Sequence, residues 1–94
     1  MKAALTVWEN RISPVFDAAQ MFLIAEIVDT KILNLRHEPF DPEAPLRVAE
    51  RLHELDVSVL ICGAISEVPA NMIESRAIKL ISFVSGNADE ILKA

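Results

Sequence analysis

Two aliphatic runs, residues 21–28 and 32–37, are separated by only Asp29-Thr30-Lys31. Three residues cannot carry a crossover, so the pair is predicted to be an antiparallel hairpin. Further along, Val48, Ala49, Leu52 and Leu55 recur at helical spacing on a segment opened by Pro45, with Arg47, Glu50, Arg51 and Glu54 facing solvent. The β-branched run 56–62 follows, too short for a typical helix and bounded by Gly63. A strand reached through a helical crossover returns parallel and right-handed. The chain must therefore reconcile a hairpin with parallel strands, which requires a mixed sheet.

The remaining segments fill in that sheet. Residues 3–8 place Leu5 and Val7 on one face and Ala4, Thr6 and Trp8 on the other, as in a strand covered on both sides. Glu9-Asn10-Arg11-Ile12-Ser13-Pro14 is expected to be a loop, since polar residues and a proline interrupt pairing. Leu33, Leu35 and His37 alternate with Asn34 and Arg36, a pattern with one wet face that suits an edge strand. Pro39, Pro42 and Pro45 make residues 38–45 a connector. Ser66 is predicted to cap a helix reaching about Arg76, with Pro69 tolerated only in its opening turn. Residues 78–83 read as a last strand, and Asn87 with Glu90 as the start of a short final helix. The expectation is one α/β domain over residues 1–94, with a mixed five-stranded sheet flanked by helices. The parallel strands lie on the far side of strand one from the hairpin, giving the order three-two-one-four-five.

Charge narrows the function. A net charge of -5 repels phosphate backbones, which disfavours nucleic acid. The nine Lys and Arg residues form no polybasic run, and the apolar stretch 21–28 is broken by Glu26 and far short of a span. No membrane partner is expected. The lone Cys62 excludes an internal disulfide and fits a reducing compartment, so a cytoplasmic location is expected. Neither residues 3–7 nor 57–62 carry a carboxylate, which removes the acidic cluster a two-metal nuclease needs. Phosphate-loop, dinucleotide, nucleophile-elbow and paired-thiol motifs are missing as well. The chain is read as a non-enzyme.

Three blocks carry a resemblance. Residues 1–19, residues 57–66 (Val57-Ser58-Val59-Leu60-Ile61-Cys62-Gly63-Ala64-Ile65-Ser66) and residues 85–92 resemble the dinitrogenase iron-molybdenum cofactor biosynthesis family in order and spacing. The resemblance implies a ribonuclease H-like fold and a nitrogenase accessory-like role. It also implies an iron-sulfur or molybdenum-containing sulfide cluster as the bound species, with cluster donor or acceptor proteins as partners. Thr6 stands where that family commonly has proline, and Ser75-Arg76-Ala77 lacks the glycine usual before the last strand.

Ligands of α/β sheets gather beyond the carboxyl ends of parallel strands where connections diverge. Three segments are expected to converge there: the loop holding Arg11 and Ser13, the corner Gly63-Ala64-Ile65-Ser66, and the turn Ser85-Gly86. Two lead into helix amino termini, whose free amides suit an anion. Arg11 is the candidate guanidinium contact, and Ser13 reads as a turn residue first. Gly63 and Gly86 answer a backbone need before any ligand contact. Cys62 is the candidate metal ligand, its thiolate favoured by the nearby helix end, against the blander reading of a buried, inert thiol. Trp8 and Phe16 read as core or cleft wall, and His37 and His53 as surface histidines. The expected function is a non-catalytic carrier of an anionic metal-sulfur cluster or iron-molybdenum cofactor precursor. The alternative is a structural or protein-interaction domain that docks another chain through its apolar rim or edge strand. Oligomeric state is open at this stage.

Overall fold

A computed structural model describes residues 1–93. Six strands and three helices run in the order β1 (Lys2–Trp8), β2 (Arg11–Ile12), β3 (Met21–Val28), β4 (Lys31–Pro39), α1 (Pro45–Glu54), β5 (Val57–Ile61), α2 (Glu67–Glu74), β6 (Lys79–Ile81) and α3 (Ala88–Lys93). A single 3-10 turn, Phe16–Ala18, precedes β3. The main sheet has the order β4-β3-β1-β5-β6, and β2 pairs with β1 off that path. The expected strand order is therefore observed. β3 and β4 are antiparallel to their neighbours, while β1, β5 and β6 are parallel.

Each hairpin turns on two residues held in the left-handed region. Asp29 and Thr30 (φ 50° and 66°) join β3 to β4, and Glu9 and Asn10 (φ 50° and 67°) join β1 to β2. This geometry follows the strand twist, at some steric cost for residues other than glycine. The segment after Trp8 was expected to be a loop, but its first half folds back as β2, with Val7 opposite Ile12 and Trp8 opposite Arg11. At the other end β4 runs on through Pro39, which an edge strand accommodates because its missing amide deprives no neighbour. The last strand and α2 are each shorter than their apolar patterns suggested.

The inner face of the sheet packs against α1 and α2. Ala4, Phe22, Ile24 and Leu60 meet Val48, Ala49, Leu52 and Ile73, and Phe16 and Cys62 join the same cluster. Phe40 closes one end by stacking on Phe22 with ring centroids 3.9 Å apart. The outer face carries a smaller cluster in which Leu5, Val7, Ile12 and Leu23 meet Ala88, Ile91 and Leu92. β4 departs from expectation in one respect. Both its faces are open, and Leu33 and Leu35 are 63% and 47% exposed. Its polar side is the one turned to α1, where Arg51 donates to Glu38 at 2.7 and 2.9 Å. Thr6 is wholly buried, and its Oγ1 has no hydrogen-bond partner among the described residues.

Candidate functional site

The three segments singled out in the sequence meet at one end of the sheet, beyond the carboxyl ends of β1 and β5. The Ala64 amide donates to the Pro14 carbonyl at 2.8 Å, and the Phe16 amide donates to Ala64 at 2.7 Å. The Phe83 and Val84 amides donate to the carbonyls of Gly63 and Cys62, both at 3.0 Å. From the other side the Ile12 amide donates to Gly86 and the Ala88 amide to Asn10, each at 2.9 Å. Main-chain bonds thus tie loop, corner and turn into one knot.

That knot leaves no room at Gly63. A Cβ there would lie 2.3 Å from the Pro14 carbonyl oxygen and 2.5 Å from that of Ser13. Close backbone approach therefore fixes this glycine. Gly86 is set by conformation instead, with φ at 119° and open space around it. Ser13 is buried, its amide donates to Thr6 at 2.9 Å and its hydroxyl to the Val15 carbonyl at 3.3 Å, so it is engaged as a turn residue. Ala64 and Ile65 are half-buried, whereas Arg11, Ser66 and Ser85 face solvent.

Electrostatics at this end differ from the expected positive pocket. The Asp17 carboxylate accepts from the Ser66 amide at 3.1 Å and from its hydroxyl at 2.7 Å, filling the front of α2 with the protein's own anion. Asn87 Oδ1 likewise accepts from the amides of Asp89 and Glu90 at 2.9 and 3.4 Å, which caps α3. Glu67, Asp89 and Glu90 occupy first helical turns, where carboxylates are favoured. Glu9 and Asp17 add to them, leaving Arg11 as the cation of these segments. Arg11 lies opposite Trp8 across the β1–β2 hairpin and bridges to Asn87, and it forms no salt bridge among the described residues. Asp17 was not singled out from the sequence; it lies 49 residues from Ser66, and no local spacing joins them.

The expectations for Cys62 divide. Its side chain is fully buried within the inner core, as the bland reading held. Burial, with a smaller contribution from the Asp17 charge, pushes the thiol up to about 11, the reverse of the helix-end activation expected. The sulfur is therefore a protonated core group with no open path to a metal. Among the described residues no three His, Cys, Asp or Glu side chains are grouped to hold a metal ion. One open space at this end is a cleft of about 380 Å3 between Trp8, Ser13 and the segment 18–21. Phe16 is core and Trp8 is wall, 67% exposed, with Phe83 standing out further at 79%. No described helix is long and apolar enough to cross a membrane.

Comparison with solved structures finds this fold repeatedly. PH0822 superposes with a TM-score of 0.90 at 15% identity, over 100% of this chain and 87% of that one. MJ0327 of Methanocaldococcus jannaschii, provisionally named a dinitrogenase, gives 0.78 at 22% identity, over 99% and 85% of the two chains. The apo form of the orange protein from Desulfovibrio gigas gives 0.73 at 16% identity, over 98% and 83%. A search of curated proteins finds no match. The family model described as dinitrogenase iron-molybdenum cofactor matches residues 1–94 from end to end, and the chain belongs to that family.

Proposed function

We propose that this protein is a non-catalytic carrier that binds an anionic metal-sulfur cluster or iron-molybdenum cofactor precursor weakly and passes it between cluster-handling proteins. The observation that carries the reading is the convergence of three loops on one end of the sheet, with a guanidinium, Arg11, at their exposed surface that forms no salt bridge among the described residues. Family membership supplies the class of cargo. In this reading Arg11 makes the electrostatic contact, and Ser66 and Ser85 are the other exposed side chains of the converging segments. The main chain of Gly63, Ala64, Ile65 and Gly86, with Ser13 behind it, forms the framework. The amides of Glu67 and Val68, which have no carbonyl partner within α2, remain for hydrogen bonding. Cys62 is not needed as a ligand. Five carboxylates beside one guanidinium make the contact weak, which suits cargo that must leave again.

Anaerobic reconstitution with iron, sulfide and molybdate tests this. A carrier gains visible charge-transfer absorption and metal in fixed proportion, diminished in Arg11→Ala and retained in Cys62→Ser. A second reading has its own support: Trp8, Val15, Val68 and Phe83 are all exposed on the segments that end or follow these strands. Such side chains suit protein docking with no cargo. That reading expects no metal uptake, together with a partner-dependent rise in mass that Trp8→Ala and Phe83→Ala abolish.

A further inference from the structure

The two faces of the sheet are covered unequally. α1 and α2 close the inner face, but the outer face carries only α3, six residues or about 9 Å of helix. Parallel strands are ordinarily covered on both faces. Here β1, β5 and β6 are parallel, and part of their outer face is bare.

Beside α3 lies a groove of about 460 Å3. Ile27, Val59, Ile61 and Ile81 form its floor, with Ile91 and Leu92 as one wall. Among the described residues the charged side chains that line it are Lys79 and Lys93, and no carboxylate does. This inverts the character of a protein whose net charge is -5. Neither lysine forms a salt bridge among the described residues. Leu35, which pairs with Ala25, belongs to the same outer face, at the free edge of β4.

We infer that this groove docks an acidic amphipathic helix of a partner protein, which lies beside α3 and completes the second layer. The groove spans β3, β1, β5 and β6, on the order of 14 Å at ordinary strand spacing, enough for one helix about 10 Å across. Apolar side chains of the partner cover the isoleucine floor, and its carboxylates meet Lys79 and Lys93. Charge selects this occupant over a second copy of the chain. A two-fold dimer through the groove would face its lysines with lysines, with no lining carboxylate among the described residues to balance them. The inference stands on the outer face alone and is independent of what the loop end binds.

The test uses the full chain and two synthetic 18-residue helical peptides that share a leucine face, one with Glu and the other with Lys on its opposite face. Methyl NMR should show the Glu peptide shifting Ile27, Ile61, Ile81 and Ile91. Its affinity should exceed that of the Lys peptide by about tenfold, the scale of two exposed charge pairs. In Lys79→Glu/Lys93→Glu, whose substitutions are at exposed positions that leave the core untouched, that preference should reverse. Equal affinities for the two peptides would overturn the inference, as would shifts confined to other surfaces. Self-association that removes the same methyl signals in the absence of peptide would overturn the choice of occupant.

Discussion

Asp17 holds Ser66 by two hydrogen bonds, 3.1 Å to the amide and 2.7 Å to the hydroxyl, and so fastens the loop after β2 to the start of α2. A charged acceptor at a helix terminus is a stronger cap than a neutral one. Replacement by alanine should cost about 1–2 kcal/mol of stability. Asp17→Asn keeps the shape and should lose less. Urea unfolding of the two variants checks the order.

Cys62 gives a pH signature. Its thiol is raised from an ordinary value near 9 to about 11 in the folded state, chiefly by burial. In the unfolded chain it ionises first, so its contribution to stability is complete below about pH 9 and is lost as the pH rises towards 11. Cys62→Ala should flatten the stability profile over that window, whatever it costs at neutral pH. Because the Asp17 charge contributes to the rise, Asp17→Asn should move the upper end of that window to lower pH in the same unfolding profile.

Gly63 tolerates no side chain. An added methyl would press on the Pro14 and Ser13 carbonyls, which are backbone and cannot swing aside. Gly63→Ala should therefore cost at least about 3 kcal/mol or prevent folding. Gly86→Ala, strained by its φ of 119° but with space around it, should cost about 1 kcal/mol. Thermal melts of the pair separate steric from conformational demand.

Ala77 offers the opposite case. It sits at φ 60° between α2 and β6, a left-handed position where an alanine is strained. Ala77→Gly should raise stability by about 0.5–1 kcal/mol, visible as a shift in urea midpoint at unchanged slope.

Legibility followed the range of each interaction. The hairpin, the crossovers and the strand order rest on apolar periodicity and short connections, which are local and legible in the residues themselves. β2 escaped because Glu9 and Asn10 turn the chain without a glycine to mark the place. Ala77 illustrates the same point from the other side: the missing glycine was noticed, and the backbone keeps the conformation a glycine would favour. The meeting of the three loops was legible from topology alone. The charge balance at their surface was not, because the Asp17–Ser66 clamp joins residues 49 apart. β4 has two open faces instead of one for a related reason. Which side of an edge strand is covered depends on where α1 and α3 pack, and α3 is too short to reach Leu33 and Leu35.

As a carrier, the protein binds an anionic sulfide cluster at its loop end through Arg11. The most direct test of that binding is an anaerobic titration of the apo protein with iron, sulfide and molybdate, followed by visible absorption at low and high salt. A carrier gives a saturating charge-transfer band, weakened severalfold by Arg11→Ala and by salt, as screening of an exposed contact requires. A band that fails to saturate, or one that is indifferent to both Arg11→Ala and salt, would contradict that binding.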